Sequence, residues 1–179
     1  CLDTLKGRGP SEVTEAVLHL ASRMVVLAEQ ERTEVAATQR VADALSSGRA
    51  LETFARMIER QGGNPRVVDD YSLLPSAPDR EVCRAPRDGY VTTLKAEAIG
   101  RASNVLGAGR NKVGEAVDHS VGITACVRLG ERVAAGNALL ELHHRSGRGV
   151  EAAMALCREA VAIGDAPPTP RPTILDSVR

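Results

Sequence analysis

The sequence predicts an α+β protein, helical in its first part and mixed helix and strand beyond it. Three observations carry this expectation. Apolar residues recur at intervals of three and four between Val13 and Ile58, the period of helices with one buried face. Residues 64–80 then hold three prolines and no steady period, a break in the organisation of the chain. Further on, Val121, Ile123, Ala125 and Val127 alternate with Gly122, Thr124, Cys126 and Arg128, the two-residue period of a strand.

Taken in order, the first helix starts at Pro10-Ser11-Glu12, where Ser11 suits a cap and Glu12 the positive end of the helix dipole. Its apolar stripe is Val13, Ala16, Val17, Leu20, Met24, Leu27 and Ala28. A second helix is expected over residues 34–45 with Val41 and Leu45 inward, stopped at Gly48. A third is expected over residues 50–61 with Leu51, Phe54, Ala55 and Ile58 on one face, ended by Gly62-Gly63. Residues 64–80 read as an extended linker. "EVCRAP" and "YVTTLK" read as strands around Arg87-Asp88-Gly89, where Asp-Gly favours a tight turn. "AEAIGRASNVLG" returns to helical spacing through Ile99, Ala102 and Leu106. "VGITACVRL" and "NALLELHH" read as strands joined by "GERVAAG". A last helix is expected over residues 149–163, with Val150, Ala153, Met154, Cys157 and Val161 inward. The proline-rich tail "DAPPTPRPTILDSVR" is expected on the surface, and no internal repeat is evident.

The chain has 179 residues, enough for one sizeable core or two small ones. Its 23 basic and 23 acidic residues give a formal charge of zero, which argues against bulk electrostatic binding to nucleic acid or membrane. Aromatics are limited to Phe54, Tyr71 and Tyr90, with no Trp, so base-stacking platforms are not expected. The core must come from Ala, Val, Leu and Ile. Cys1, Cys83, Cys126 and Cys157 form no CxxC pair, whereas a zinc site needs closer ligands. They read as buried, reduced thiols of a cytosolic protein. No apolar run approaches the ~20 residues of a membrane span, and no signal peptide is visible. The chain opens on Cys1 rather than Met, which reads as a processed product or a fragment.

Several motifs carry candidate chemistry. "GAGRNK" holds Gly107 and Gly109 after a helix, with Arg110 and Lys112 beside them. A phosphate loop lets backbone N–H groups converge at a helix start, usually after a strand; neither GxGxxG nor GxxxxGK[ST] occurs here. Two readings stay open: a helix C-cap and turn, or a loop that folds over a ligand with Arg110 and Lys112 supplying charge. Asp118-His119-Ser120 names the members of a triad, but a working triad gathers distant segments; Asp118 is better read as capping a turn or pairing with a basic neighbour. His143-His144 would point to opposite faces of a strand, with no further metal ligands nearby. His19 reads as a partly buried packing residue. "GERVAAGNALLEL" brackets a turn with Gly130 and Gly136, and Val133, Leu139 and Leu142 suit a small barrel-like core. This hairpin resembles those of biotinyl and lipoyl carrier domains, although neither Lys95 nor Lys112 stands at an exposed hairpin tip in a carrier-type motif.

Taken together, "DTLKGRGP", "MVVLAE", "GRALETFARMIERQGGNPRVVDD" with "LLPSAP", "APRDGYV", "LGAGR", "DHSVGI" and "GERVAAGNALLEL" occur in the order found in pyrimidine-nucleoside phosphorylases, including thymidine phosphorylases. The chain resembles the C-terminal portion of that family along nearly its whole length. The resemblance implies a helical segment from the end of a larger α/β domain, residues 1–63, and a linker, residues 64–80. A compact α+β C-terminal domain with a barrel-sandwich-like hairpin, residues 81–165, and a surface tail, residues 166–179, would follow. It also implies a homodimeric cytoplasmic enzyme of nucleoside salvage, which splits a pyrimidine nucleoside with phosphate into free base and (deoxy)ribose 1-phosphate. In the family the phosphate loop, the Arg, Ser and Lys that hold the pyrimidine, and the metal-binding residues all precede "DTLKGRGP". No catalytic, cofactor-binding or metal-binding residue is therefore assigned in this chain, and the isolated chain is expected to be inactive. Gly107, Gly109 and Arg110 are candidates for an active-site lid. The rival expectation is a non-catalytic binding or scaffold module with a carrier-like hairpin.

Overall fold

The computed structural model describes residues 1–110 and 112–177. Asn111, inside the glycine loop, and the last two positions of the tail lie outside the described residues. The chain divides into two compact units: residues 1–73 with the tail from Arg171, and residues 74–170.

The first unit is helical, with no strand among its described residues. A single helical turn, α1 (Leu2–Leu5), is followed by α2 (Ser11–Leu27), α3 (Glu34–Ser46) and α4 (Arg49–Arg60). The expected cap of α2 is displaced by one residue. Pro10, with ψ 140°, occupies the capping position, and the Ser11 hydroxyl turns to Glu12 instead. Proline suits this boundary because it lacks the N–H that a helix start would leave unpaired. Thr33 caps α3 by accepting from the Ala36 N–H at 3.2 Å. The end of α4 is closed from both Gly62 and Gly63, whose N–H groups donate to the Glu59 and Ile58 carbonyls.

Helix α2 packs on α3, but not through the stripe expected of it. Ser22 and Ala37 are the buried residues of the two helices, and the half-buried positions of α2 include Thr14, Leu18, Ala21 and Val25. The predicted stripe faces outward, with Leu20 at 62%, Met24 at 68% and Leu27 at 83% exposure. The one buried side chain on each of these helices is small, Ser22 on α2 and Ala37 on α3. On α4 the expected face is found: Leu51, Phe54, Ala55 and Ile58 are all half-buried. Residues 65–73 are not extended. They form two 3-10 turns, Pro65–Val68 and Tyr71–Leu73, the first packed on α4 with Val68 buried. Asn64 nucleates that turn by accepting from the Arg66 N–H at 3.0 Å.

The second unit contains β1 (Asp79–Arg84), β2 (Gly89–Leu94), α5 (Ala96–Leu106), β3 (Gly122–Ala125), β4 (Arg132–Val133), β5 (Ala138–His144), α6 (Val150–Ala160) and β6 (Val161–Gly164). Two antiparallel three-stranded sheets run β1-β5-β3 and β4-β2-β6. The expected α+β class is found, with Val133, Leu139 and Leu142 buried in one cluster with Val91, Leu106 and Leu140.

Two local expectations change. β1 and β2 are not partners across Arg87-Asp88-Gly89; they belong to different sheets. Asp88 instead accepts from the Ala135 N–H at 2.7 Å, and Arg87 reaches Asp165 and the Ile163 carbonyl, both at 2.6 Å. The stretch is a junction between sheets, stitched to the loop before β5 and to the end of β6. The last helix also stops early, at Ala160. Residues 161–164 continue as a strand, pairing Val161 with Leu94 and Ile163 with Val91. The β-branched Val161 and Ile163 fit a pleated surface, and β2 supplies the hydrogen bonds a helix would otherwise supply.

Candidate functional site

Helix α5 ends on Gly107, which has φ 109° and closes the helix through N–H donations at its end to Asn104 and Ser103 carbonyls. Only a glycine adopts that backbone readily, so the C-cap reading of Gly107 holds. Gly109 lies against the Asn104 side-chain amide. Arg110 is exposed, and Val113 lies fully in solvent. Between them and Asp118 the chain makes a turn, with the Glu115 N–H donating to the Lys112 carbonyl at 3.2 Å.

The loop's two ends meet. The Asp118 N–H donates to the Gly107 carbonyl at 3.0 Å. The Asp118 carboxylate accepts from the Ser120 N–H at 2.9 Å, the Ser120 hydroxyl at 2.6 Å and Arg145 Nε at 3.1 Å. Arg145 Nη2 also donates to Ser120 Oγ at 3.1 Å. These donors, the Ser120 hydroxyl first, then its N–H and then Arg145, hold the Asp118 carboxyl down at about 2. Asp118 thus caps a turn and pairs with a basic residue, as its sequence setting implies. The basic residue itself, Arg145 after β5, gave no periodic signal. The Arg148 guanidinium lies beside Gly107, 3.8 Å from where a Cβ on that glycine would stand. The only hint of either arginine was their position in the short turn "RSGRG".

No nucleophile is built from Asp118-His119-Ser120. The carboxylate bonds directly to Ser120, with His119 exposed and outside the contact. The Ser120 proton is committed to Asp118, and no general base lies between them.

On β5 the two histidines face opposite ways. His144 is buried and its Nδ1 accepts from the Gly147 N–H at 3.3 Å, which fixes the turn after β5. His143 Nε2 lies 3.0 Å from Thr124 Oγ1 and 3.3 Å from Glu141 Oε1. Both contacts use the same ring nitrogen. A proton relay needs one partner on each nitrogen, so Thr124, His143 and Glu141 form a surface network with Arg80, 2.8 Å from Glu141. Among the described residues no group of three or more His, Cys, Asp or Glu side chains is arranged to hold a metal ion.

All four cysteines are free. Cys83 and Cys157 are buried, as expected, and line a cavity of about 230 Å3 with Arg84, Pro86, Leu139, Arg158 and Val161. Burial pushes the Cys157 thiol up to about 11, with Cys83 adding to the shift, and burial raises Cys83 as well. Both stay protonated and are poor nucleophiles near neutral pH. Cys1 and Cys126 are exposed, contrary to the expectation of burial. Cys126 falls past the end of β3, on the outward phase of the alternation, with its Sγ near the Thr124 carbonyl. No helix among the described residues is long and apolar enough to cross a membrane.

Residues 90–164, from β2 to the end of β6, match the family model of the pyrimidine nucleoside phosphorylase C-terminal domain. The chain is 43% identical over 142 residues to the pyrimidine-nucleoside phosphorylase of Staphylococcus epidermidis strain ATCC 12228, covering 79% of this chain and 33% of that protein. It is 44% identical over 140 residues to the same enzyme of a second S. epidermidis strain, ATCC 35984, covering 78% and 32%. The Staphylococcus aureus enzyme of strain USA300 is 43% identical over 142 residues, again 79% and 33%. The chain therefore spans about a third of the length of the curated relatives it matches.

Proposed function

We propose, starting from the fact that this chain belongs to the pyrimidine-nucleoside phosphorylase family as a C-terminal portion of it, that it is the C-terminal section of an enzyme of that activity. The enzyme splits a pyrimidine nucleoside with phosphate, releasing the free base and (deoxy)ribose 1-phosphate. It works as a homodimer in the cytoplasm. The observation that carries this reading is the identity of 43% over 142 residues to proteins of that name, most of this chain against a third of theirs.

Residues 1–63 belong to the end of the large α/β domain, residues 64–80 to a linker, residues 81–165 to the C-terminal domain and residues 166–179 to its tail. Phosphorolysis needs a phosphate oxygen positioned against C1′ and donors for the charge gained by the departing base. Those groups belong to the part of the enzyme upstream of "DTLKGRGP", and this chain supplies the frame. Gly107, Gly109 and Arg110 contribute a lid over the cleft. Its support is a loop closed at the base, a cation at Arg110 and a tip lying in solvent.

The test is turnover of uridine or thymidine with phosphate, read as free base released. The isolated chain releases none above a buffer blank. A polypeptide joining it to the upstream part of the enzyme releases base, and Arg110→Ala in that polypeptide lowers turnover with little change in melting temperature. Turnover by the isolated chain would overturn the assignment of catalysis to upstream residues. Unchanged turnover in Arg110→Ala would remove the lid.

A further inference from the structure

The described hydrogen bonds at the base of the glycine loop reach beyond the loop itself. Between Gly107 and Asp118 the described hydrogen bonds within the loop are those of one turn, through Lys112 and Glu115. Its base is fastened to a different part of the fold. Asp118 closes the loop onto the Gly107 carbonyl and takes Arg145 and Ser120 on its carboxylate.

Arg145 opens the turn between β5 and α6, and that turn is tied to its surroundings at several points. Ser146 N–H donates to Asp79 at 2.8 Å and Gly147 N–H to the buried His144. Gly149 adopts φ 68°, and a Cβ there would come within 2.5 Å of the Val105 carbonyl on α5. Helices α5 and α6 pack on each other. The base of the loop is thus tied to the β5–α6 turn through Arg145.

We propose that Asp118 and Arg145 are positioning residues, which hold the base of the Gly107–Arg110 lid in register with the β5–α6 turn and so set where Arg110 can reach. This rests on the reading of the loop as a lid. Fixing both ends of a loop restricts the arrangements open to its tip. A lid that closes on a ligand binds more tightly when fewer arrangements must be given up on closure. Arg145 suits the task because its planar fork engages Asp118 and Ser120 at once; a lysine at that position offers a single ammonium. Neither residue touches substrate in this scheme.

The test has two arms. In this chain, trypsin cuts after Arg110 and Lys112, and mass spectrometry follows those cuts against cuts elsewhere. Asp118→Asn and Arg145→Gln should speed loop cleavage about tenfold, in line with the loss of a charge-assisted hydrogen bond and cleavage through an opened state. Arg145→Lys should restore part of the protection. Ser120→Ala, which removes one hydroxyl, should give a smaller effect in the same direction, and it serves where the charge variants do not fold. Loop cleavage unchanged in all four variants would overturn the proposal.

The second arm measures turnover in the polypeptide that includes the upstream part of the enzyme. There Asp118→Asn should raise KM several-fold with kcat less affected, and Arg145→Lys should recover part of it. If Arg110→Ala lowers turnover and Asp118→Asn leaves KM alone, the anchor is overturned and the lid stands. If neither substitution moves turnover, the lid reading itself is overturned, and with it the role given to Asp118 and Arg145.

Discussion

In residues 74–170, sixteen buried apolar side chains make one cluster shared by both sheets and both helices. In residues 1–73 the buried apolar side chains are Ala37 and Val68. Both regions carry apolar patterns, and the difference lies in what each pattern has to pack against. Two sheets and two helices bury each other's faces. A set of helices with no sheet leaves Val13, Val17, Leu20, Met24 and Leu27 in solvent, a seam spaced by four, three, four and three along α2. An apolar seam of that kind marks a surface that associates. Periodicity reports that a face exists, and the topology decides whether it is covered.

The sharpest way to break this comparison is to shorten one leucine in each region. Leu142 is fully buried on β5, and Leu20 is 62% exposed on α2. Leu142→Ala should cost about 2–5 kcal/mol, the range for a large-to-small change in a packed core. Leu20→Ala should stay within about 0.5 kcal/mol, as for a surface change away from caps and networks. Urea melts followed by circular dichroism measure both. Measured at a dilution where the chain is monomeric, similar losses for the two would mean that the seam is covered within the chain itself.

A smaller and complementary effect is expected when the seam is made polar. The triple substitution Leu20→Gln, Met24→Gln and Leu27→Gln should reduce self-association of the chain in sedimentation velocity, with the second unit's amides exchanging as slowly as before. Unaltered association would place the sticky surface elsewhere and weaken the contrast between the regions.

The same contrast explains what the sequence disclosed. Helix positions were legible because Gly48, Gly62 and Gly107 end helices by backbone geometry local to each site. The direction in which α2 faces was not, since it depends on how α2 packs on α3, which buries Ser22 and leaves Leu20 and Met24 exposed. Val161 looked helical by spacing, yet β2 lay ready to pair with it. Asp88-Gly89 carried a hairpin signal, and the partners of Asp88 and Arg87 turned out to be Ala135 and Asp165, far along the chain. At the candidate site, Asp118 could be read as a cap from its own neighbourhood, because Ser120 is two residues away. Arg145 could not, because it lies 27 residues on and only the β5–α6 turn brings it back.

The smallest effect expected is a pH dependence confined to that clasp, and its direction follows from the depressed Asp118 carboxyl. Ordinary aspartates titrate near 3.8, and Asp118 is held at about 2 by Ser120 and Arg145. Because the folded value lies below the unfolded one, the clasp contributes its full stability above about pH 4, and the contribution falls away as pH drops through about 2. The urea midpoints of the native chain and Asp118→Asn should therefore differ at neutral pH and converge between about pH 4 and 2. The Asp118 carboxyl carbon, followed by NMR, should titrate near 2 in the native chain. In Arg145→Gln it should move up only part of the way, because the two Ser120 donors remain and are the larger influence. A native midpoint near 3.8 would mean that the loop base is loose in solution. The second unit would then resemble the first, with a side chain placed by sequence but held by nothing.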